Sequence, residues 1–152
     1  MAKLMSVDEM KASVGKEVGV TQWFQMDQKR INAFADCTED HQFIHVNEDL
    51  ARKGPFGTTI AHGYLTLSLL SYFGGQNALL PQGLKMAINY GLNKVRFIAP
   101  VKVNKRIRNR AVLKGVEDKG GGRILVTTEN TVEIEGEDKP AMVAESLAMF
   151  FT

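Results

Sequence analysis

The densest run of groups able to move protons is Thr38-Glu-Asp-His-Gln-Phe-Ile-His45, followed shortly by Phe56-Gly-Thr-Thr-Ile-Ala-His-Gly63. Asp40 and His45 stand five apart, and loop backbone lets an Asp and a His at that spacing converge on one water. Together they offer an acceptor and a group that titrates near neutrality, the two parts of general acid–base catalysis. Gln42, between them, both donates and accepts, and could orient that water or the carboxylate. Gly63 falls where the chain enters an apolar helix. Free N–H groups at a helix start present the positive dipole end, an oxyanion site, and glycine allows close approach of a carbonyl. All three histidines of the chain, His41, His45 and His62, fall in this stretch. The plainer reading of each is capping or hydrogen bonding, and it fits His41 as an exposed group and His62 as a structural one. A zinc site built from the three is a further reading.

The elements that must position these groups are legible in outline. Val18 to Met26 reads as an opening strand. Asp27 reads as an N-cap, with Met26 and Ile31 as a hydrophobic staple, and Gln28 to Asp36 as a short surface helix. Cys37 to Val46 reads as a polar loop. Asn47, followed by Glu48 and Asp49, reads as a second N-cap. Ala61 to Phe73 is apolar on nearly every side, the signature of a buried helix, with Gly74 and Gly75 as its stop. The period then changes to two. Lys85 to Ile98, Val101 to Val116, Arg123 to Ile134 and Ala141 to Phe150 read as strands, with hairpin signals at residues 117–122 and 135–140. One buried helix followed by antiparallel strands predicts an α+β domain whose sheet wraps the helix.

Composition bounds the function. The 152 residues suit one domain, 1–152, and carry a net charge of only +2, too little to imply a nucleic-acid partner. Cys37 is the only cysteine, so no intrachain disulfide forms and a thiolate metal site lacks partners. The first 14 residues have no apolar core of a signal peptide. The longest apolar run, Tyr64 to Phe73, is half of the ~20 residues that span a bilayer. A cytoplasmic location without membrane insertion is the expectation.

The run Phe34-Ala-Asp-Cys-Thr-Glu-Asp40, then His45, then Phe56-Gly-Thr-Thr-Ile-Ala-His-Gly-Tyr-Leu-Thr66, resembles the MaoC-like, or (R)-specific enoyl-CoA hydratase, family. Asn89-Tyr-Gly-Leu-Asn-Lys-Val-Arg-Phe-Ile-Ala-Pro-Val101 resembles its single-domain members near the nodulation protein N group. The resemblance implies a hot-dog fold, a long central helix wrapped by an antiparallel β-sheet, and a homodimer. It implies Asp40 and His45 as the catalytic pair, Gly63 as the oxyanion amide, and Gln42 where Asn is usual. Ser68 matches a serine that supports the site in some members, and Arg96 lies in the family-like run as a substrate-binding candidate. The substrate implied is a coenzyme A or acyl-carrier-protein thioester, with no metal or redox cofactor. The usual Gly-Asp-x-Asn-Pro-x-His form is replaced here by Glu39-Asp-His-Gln-Phe-Ile-His45, which loses the proline and adds His41.

Strand alternation puts Lys102, Arg106, Arg108 and Arg110 on one face. A solvated outer face and an attraction for coenzyme A phosphates or an acidic carrier protein are the two readings. Phe24, Phe43, Tyr64, Phe73 and Met86 are bulky candidates for an acyl tunnel or for core. A hot-dog acyl-CoA thioesterase and a non-catalytic acyl-binding subunit are the competing functions.

Overall fold

A computed structural model describes residues 3–152. Near the start, Ser6 and Glu9 cap each other: the Glu9 N–H donates to Ser6 Oγ, and the Ser6 N–H to Glu9 Oε2. This capping box opens α1 (Val7–Ala12), which follows a short strand, β1 (Lys3–Met5). The sequence reading placed no element here. The strand expected over Val18 to Met26 is two strands, β2 (Glu17–Val20) and β3 (Phe24–Gln25), both paired with one neighbour.

Asp27 is the N-cap expected, its carboxylate accepting from the Arg30 N–H at 2.8 Å, with Met26 and Ile31 fully buried on either side. The helix it opens, α2 (Gln28–Thr38), runs two residues further than the pattern predicted and takes Cys37 and Thr38 out of the supposed loop. A second correction follows: Phe43–Val46 is a one-turn helix, α3, before α4 (Glu48–Arg52), which Asn47 caps through Leu50.

The central helix departs most from expectation. It starts at Gly63, not Ala61, as α5 (Gly63–Ser68) and α6 (Leu70–Asn77), and it passes through both glycines. Leu69 keeps right-handed backbone (φ −69°, ψ −11°), and hydrogen bonds from Leu69 to Leu65 and from Phe73 to Leu69 carry the helix across the junction. Glycine weakens a helix but does not by itself end one. Nor is the helix buried all round. Leu65, Leu69 and Phe73 face the core, whereas Tyr64 and Tyr72 are 70% and 53% exposed.

The sheet is formed by β5 (Met86–Phe97), β6 (Arg106–Gly120), β7 (Arg123–Ile134) and β8 (Met142–Phe151), with β2 and β3 on β6. Its order is β2-β6-β7-β8-β5, antiparallel throughout, leaving β5 as an edge strand. A short β4 (Leu79–Pro81) pairs in parallel with β1. The β6–β7 hairpin needs glycine at Gly122, where φ is +74° and a Cβ would lie 2.7 Å from the Thr152 carbonyl oxygen. The strand expected from Val101 begins only at Arg106. Before it, residues 101–105 run beside Thr59–Ala61, bridged at Ile60 and Lys102.

The helix packs on the concave face through Leu65, Leu69, Phe73, Ile107, Val132 and Met142, a continuous core. Met10 closes a second cluster with Leu113, Ile124, Val126 and Phe150. On the outer face, Arg106 pairs with Glu135, Arg108 with Glu133, and Arg110 with Glu133 and Glu17; Arg108 also stacks over Trp23 at 4.4 Å. Each guanidinium is locally neutralised, so this face is a solvated ionic ladder and not a phosphate trap. Because α2 leads directly into the candidate site, its cap tests the coupling of fold and site. Asp27→Ala should lower stability by about 1 kcal/mol, read as a lower denaturation midpoint with unchanged slope.

Candidate active site

Two segments meet at the N-terminal end of the central helix. In the first, α2 ends at Glu39, which adopts left-handed backbone (φ 61°), and this turn brings Asp40 back over the helix start. In the second, Thr59–Ala61 lies beside α3, with the Ile60 N–H donating to Ile44 O at 3.0 Å and Ala61 to Val101 O at 2.8 Å. Gln28 clamps the two together. Its Nε2 donates to the His45 carbonyl at 2.8 Å, while its Oε1 accepts from the Thr59 hydroxyl.

His45 is buried, and its Nδ1 lies 2.7 Å from the Ile60 carbonyl oxygen. A carbonyl only accepts, so Nδ1 carries the proton and Nε2 of the neutral ring is left as an open acceptor. Burial pushes the His45 pKa down, and His62 acts in the same direction, against the Ile60 hydrogen bond and the Asp40 charge. His45 is therefore held as neutral imidazole at pH 7.

His62 was expected to be merely structural; it is a third member of the cluster. It is buried, stacks on His45 with ring centroids 3.8 Å apart, and packs against Phe34. Its Nε2 donates to the Asp40 carbonyl oxygen at 2.9 Å and lies 4.0 Å from the Asp40 carboxylate. One side chain thus touches both the loop that carries Asp40 and the ring of His45. The sequence carried a signal for it, since His62 directly precedes Gly63, but its contacts are with residues 17 and 22 positions upstream.

A carboxylate oxygen of Asp40, a ring nitrogen of His45 and one of His62 lie within 4.8 Å of one another. A water hydrogen-bonded at about 2.8 Å to two acceptors spans roughly 4.6 Å between them, so Asp40 and His45 can share one. The Asp40 side chain is half exposed, open to a substrate. Gly63 begins α5, where its N–H has no intrahelical acceptor. A Cβ at Gly63 would lie 3.1 Å from the Phe97 ring, so the glycine also admits that contact.

The same trio is the group among the described residues with metal-like spacing. Its geometry does not suit an ion. Imidazole binds metal in the ring plane at about 2.1 Å, and two rings stacked 3.8 Å apart with 23° between their planes do not both hold one ion in plane at that distance. The zinc site of three histidines is not formed either: His41 turns away to Asp36 at 2.9 Å, a contact that raises its pKa.

The side chains of the other candidates make no hydrogen bond to the trio. Gln42 is exposed and offers Asp40 its backbone N–H at 3.4 Å, with no capping role for its side chain. Ser68 donates back to the Tyr64 carbonyl at 2.8 Å, and Arg96 is exposed and donates to the Val95 carbonyl. Of the bulky tunnel candidates, Phe73 alone lines the large cavity beneath the helix.

Comparisons with known proteins show the family to which this fold belongs. A model of the MaoC like domain matches residues 9–135. The chain is 50% identical over 150 residues to 3-hydroxyacyl-thioester dehydratase Z of Mycobacterium tuberculosis, covering 99% of each. It is 47% identical over 143 residues to nodulation protein N of Rhizobium leguminosarum bv. viciae, covering 92% of this chain and 88% of that one. The solved (R)-hydratase from A. caviae superposes with a TM-score of 0.73 at 23% identity, over 89% of this chain and 94% of that one. Sheet and central helix together form the α+β hot-dog fold, and the chain belongs to the family of MaoC-like domains.

Proposed function

We propose that this MaoC-like lyase hydrates trans-2-enoyl thioesters reversibly to (R)-3-hydroxyacyl thioesters, with Asp40 and His45 as its catalytic pair. What supports the reading is a ring nitrogen of His45 within 4.8 Å of an Asp40 carboxylate oxygen, a span that one water bridges, with Nε2 left as the open acceptor, beside a helix that begins at Gly63. The name of the mycobacterial relative, a 3-hydroxyacyl-thioester dehydratase, supports the same reaction class.

The water donates one hydrogen to His45 Nε2 and the other to Asp40. As its oxygen bonds to the β-carbon, His45 takes the first proton and the C=C electron pair moves toward the thioester carbonyl. The Gly63 N–H meets the charge that develops on that oxygen; such a donor typically lowers the barrier by ~3 kcal/mol. The imidazolium, steadied by Asp40, then returns its proton to the α-carbon on the same face. Addition is syn, and His45 ends neutral as it began. His62 acts as a positioning residue, holding the Asp40 loop through its carbonyl and the His45 ring by stacking. The acyl carrier is coenzyme A or an acyl carrier protein. A second copy of this chain is the partner that fits the open β5 edge, where Ile88, Tyr90 and Leu92 are exposed. The family resemblance involves no metal or redox cofactor, and the scheme uses none.

The direct test follows loss of the conjugated enoyl thioester, with product stereochemistry determined. Asp40→Asn should abolish hydration in a protein that stays folded; full activity would contradict the assignment. Free thiol released from a saturated acyl-CoA would point instead to a thioesterase. A pH profile tests His45: because its folded pKa lies below 6.5, kcat/KM should hold down to the ordinary imidazole value and fall only at lower pH. The same sign governs stability, since the unfolded chain binds the proton more readily; His45's contribution is present above pH 6.5 and lost as pH falls. His62→Gln should lower kcat by about tenfold or more with little change in KM, since it disturbs geometry and not substrate contacts.

A further inference from the structure

A helix of one turn makes few hydrogen bonds of its own, and α3, which carries His45, draws on other segments for the rest. Its carbonyls are met one by one. Phe43 O accepts from the Asn47 N–H at 3.0 Å, and Ile44 O from the Ile60 N–H at 3.0 Å. His45 O accepts from a side chain, Gln28 Nε2, at 2.8 Å. The other end of α3 has no comparable hold, because Gln42, its N-cap residue, makes no side-chain capping bond. A distant glutamine thus holds the backbone of the candidate base.

Gln28 is the first residue of α2, half-buried, and its partners fix the orientation of its amide. A carbonyl only accepts, so the atom at His45 O is Nε2, which also donates to Asn32 Oδ1 at 2.8 Å. Both of its N–H groups are thereby used. Oε1 is left to accept from the hydroxyl of Thr59, a residue only 1% exposed. Thr59 directly precedes Ile60, whose carbonyl holds His45 Nδ1–H. The bonds therefore close a circuit. It runs from the His45 ring to Ile60, along the chain to Thr59, and through Gln28 back to the His45 carbonyl. One amide ties the donor of the tautomer-setting bond to the neighbour of its acceptor.

We propose that Gln28 is a positioning residue for hydration that acts through His45: it keeps the ring on the Ile60 carbonyl, so that Nδ1 holds the proton and Nε2 stays open. The proposal rests on the hydratase reading of the Asp40–His45 site and adds to it a residue outside the Asp40–His45–His62 trio. The discriminating variant is Gln28→Glu. It keeps the size of the side chain and the acceptor for Thr59, but it loses the donor and sets a carboxylate against the His45 carbonyl. An acid in the first turn also suits the positive end of α2, so a residue that served the helix alone would tolerate this change.

Gln28→Glu and Gln28→Leu should each lower kcat for an enoyl thioester about tenfold or more, with KM little changed. Nitrogen NMR gives the second readout: the native His45 ring should carry its proton on Nδ1 alone, and in both variants the proton should spread to Nε2. Thr59→Val breaks the same circuit at its other end and should reproduce both effects. Thr59→Ser keeps the hydroxyl and should recover most of the loss. Because one circuit is broken once, the double variant Gln28→Leu/Thr59→Val should be little slower than Gln28→Leu alone. Where Gln28→Leu does not fold, Gln28→Glu and the Thr59 pair decide by the same two readouts. Native kcat with a native His45 spectrum in Gln28→Glu overturns the proposal, and so does a lower denaturation midpoint with kcat unchanged. Failure of the native chain to hydrate enoyl thioesters refutes the hydratase reading itself, while the His45 spectrum still tests the circuit.

Discussion

A carbonyl oxygen accepts hydrogen bonds and never donates them, and Ile60 applies that rule to His45. The imidazole is buried against His62, away from the water that would otherwise let it choose a tautomer or a charge. Fixed as Nδ1–H, it has one lone pair left, and that lone pair defines where chemistry is possible. The Asp40 carboxylate gains its meaning from the same constraint, because an exposed aspartate alone is only a solvated charge. Burial and the neighbouring imidazole keep His45 neutral, so the ring is ready to take a proton instead of already holding one.

Such an arrangement needs the Ile60 carbonyl to stay in place, and three separate parts of the chain hold it. The segment 59–61 is bonded to α3 on one side and to residues 101–103 on the other. Gln28, at the start of α2, ties the His45 backbone to the Thr59 hydroxyl. The central helix completes the frame, with its first free N–H at Gly63 and its apolar side anchored in the core through Leu65, Leu69 and Phe73. The candidate pair sits on the turn after α2 and on the one-turn α3, and a helix and sheet that bury well hold both. The same helix also walls the cavity beneath it, through Leu67, Leu70 and Phe73.

What was legible in the sequence was what depends on near neighbours. The caps at Asp27 and Asn47 involve residues three positions away, and both were read correctly. Strand β7 has the bounds expected of it, since glycine- and charge-rich turns flank a clean alternating pattern. The reading failed where distant contacts decide. Gly74 and Gly75 look like a helix stop, yet hydrogen bonds and packing carry the helix through to Asn77. β1 and α1 exist because Leu79–Pro81 and Leu113 lie far along the chain to receive them. The arginines of β6 left two readings open, a solvated face and an anion site, until strand register placed glutamates opposite. His62 was undervalued for the same reason: its partners, His45 and Asp40, are brought to it by the fold.

The most direct measurement of this account is the tautomer of His45, read by nitrogen NMR of the ring in the folded protein at neutral pH. The account requires Nδ1 to show the signature of a protonated, hydrogen-bonded nitrogen and Nε2 that of an unprotonated one. A proton found on Nε2, or on both nitrogens at pH 7, would remove the open acceptor on which the whole arrangement depends.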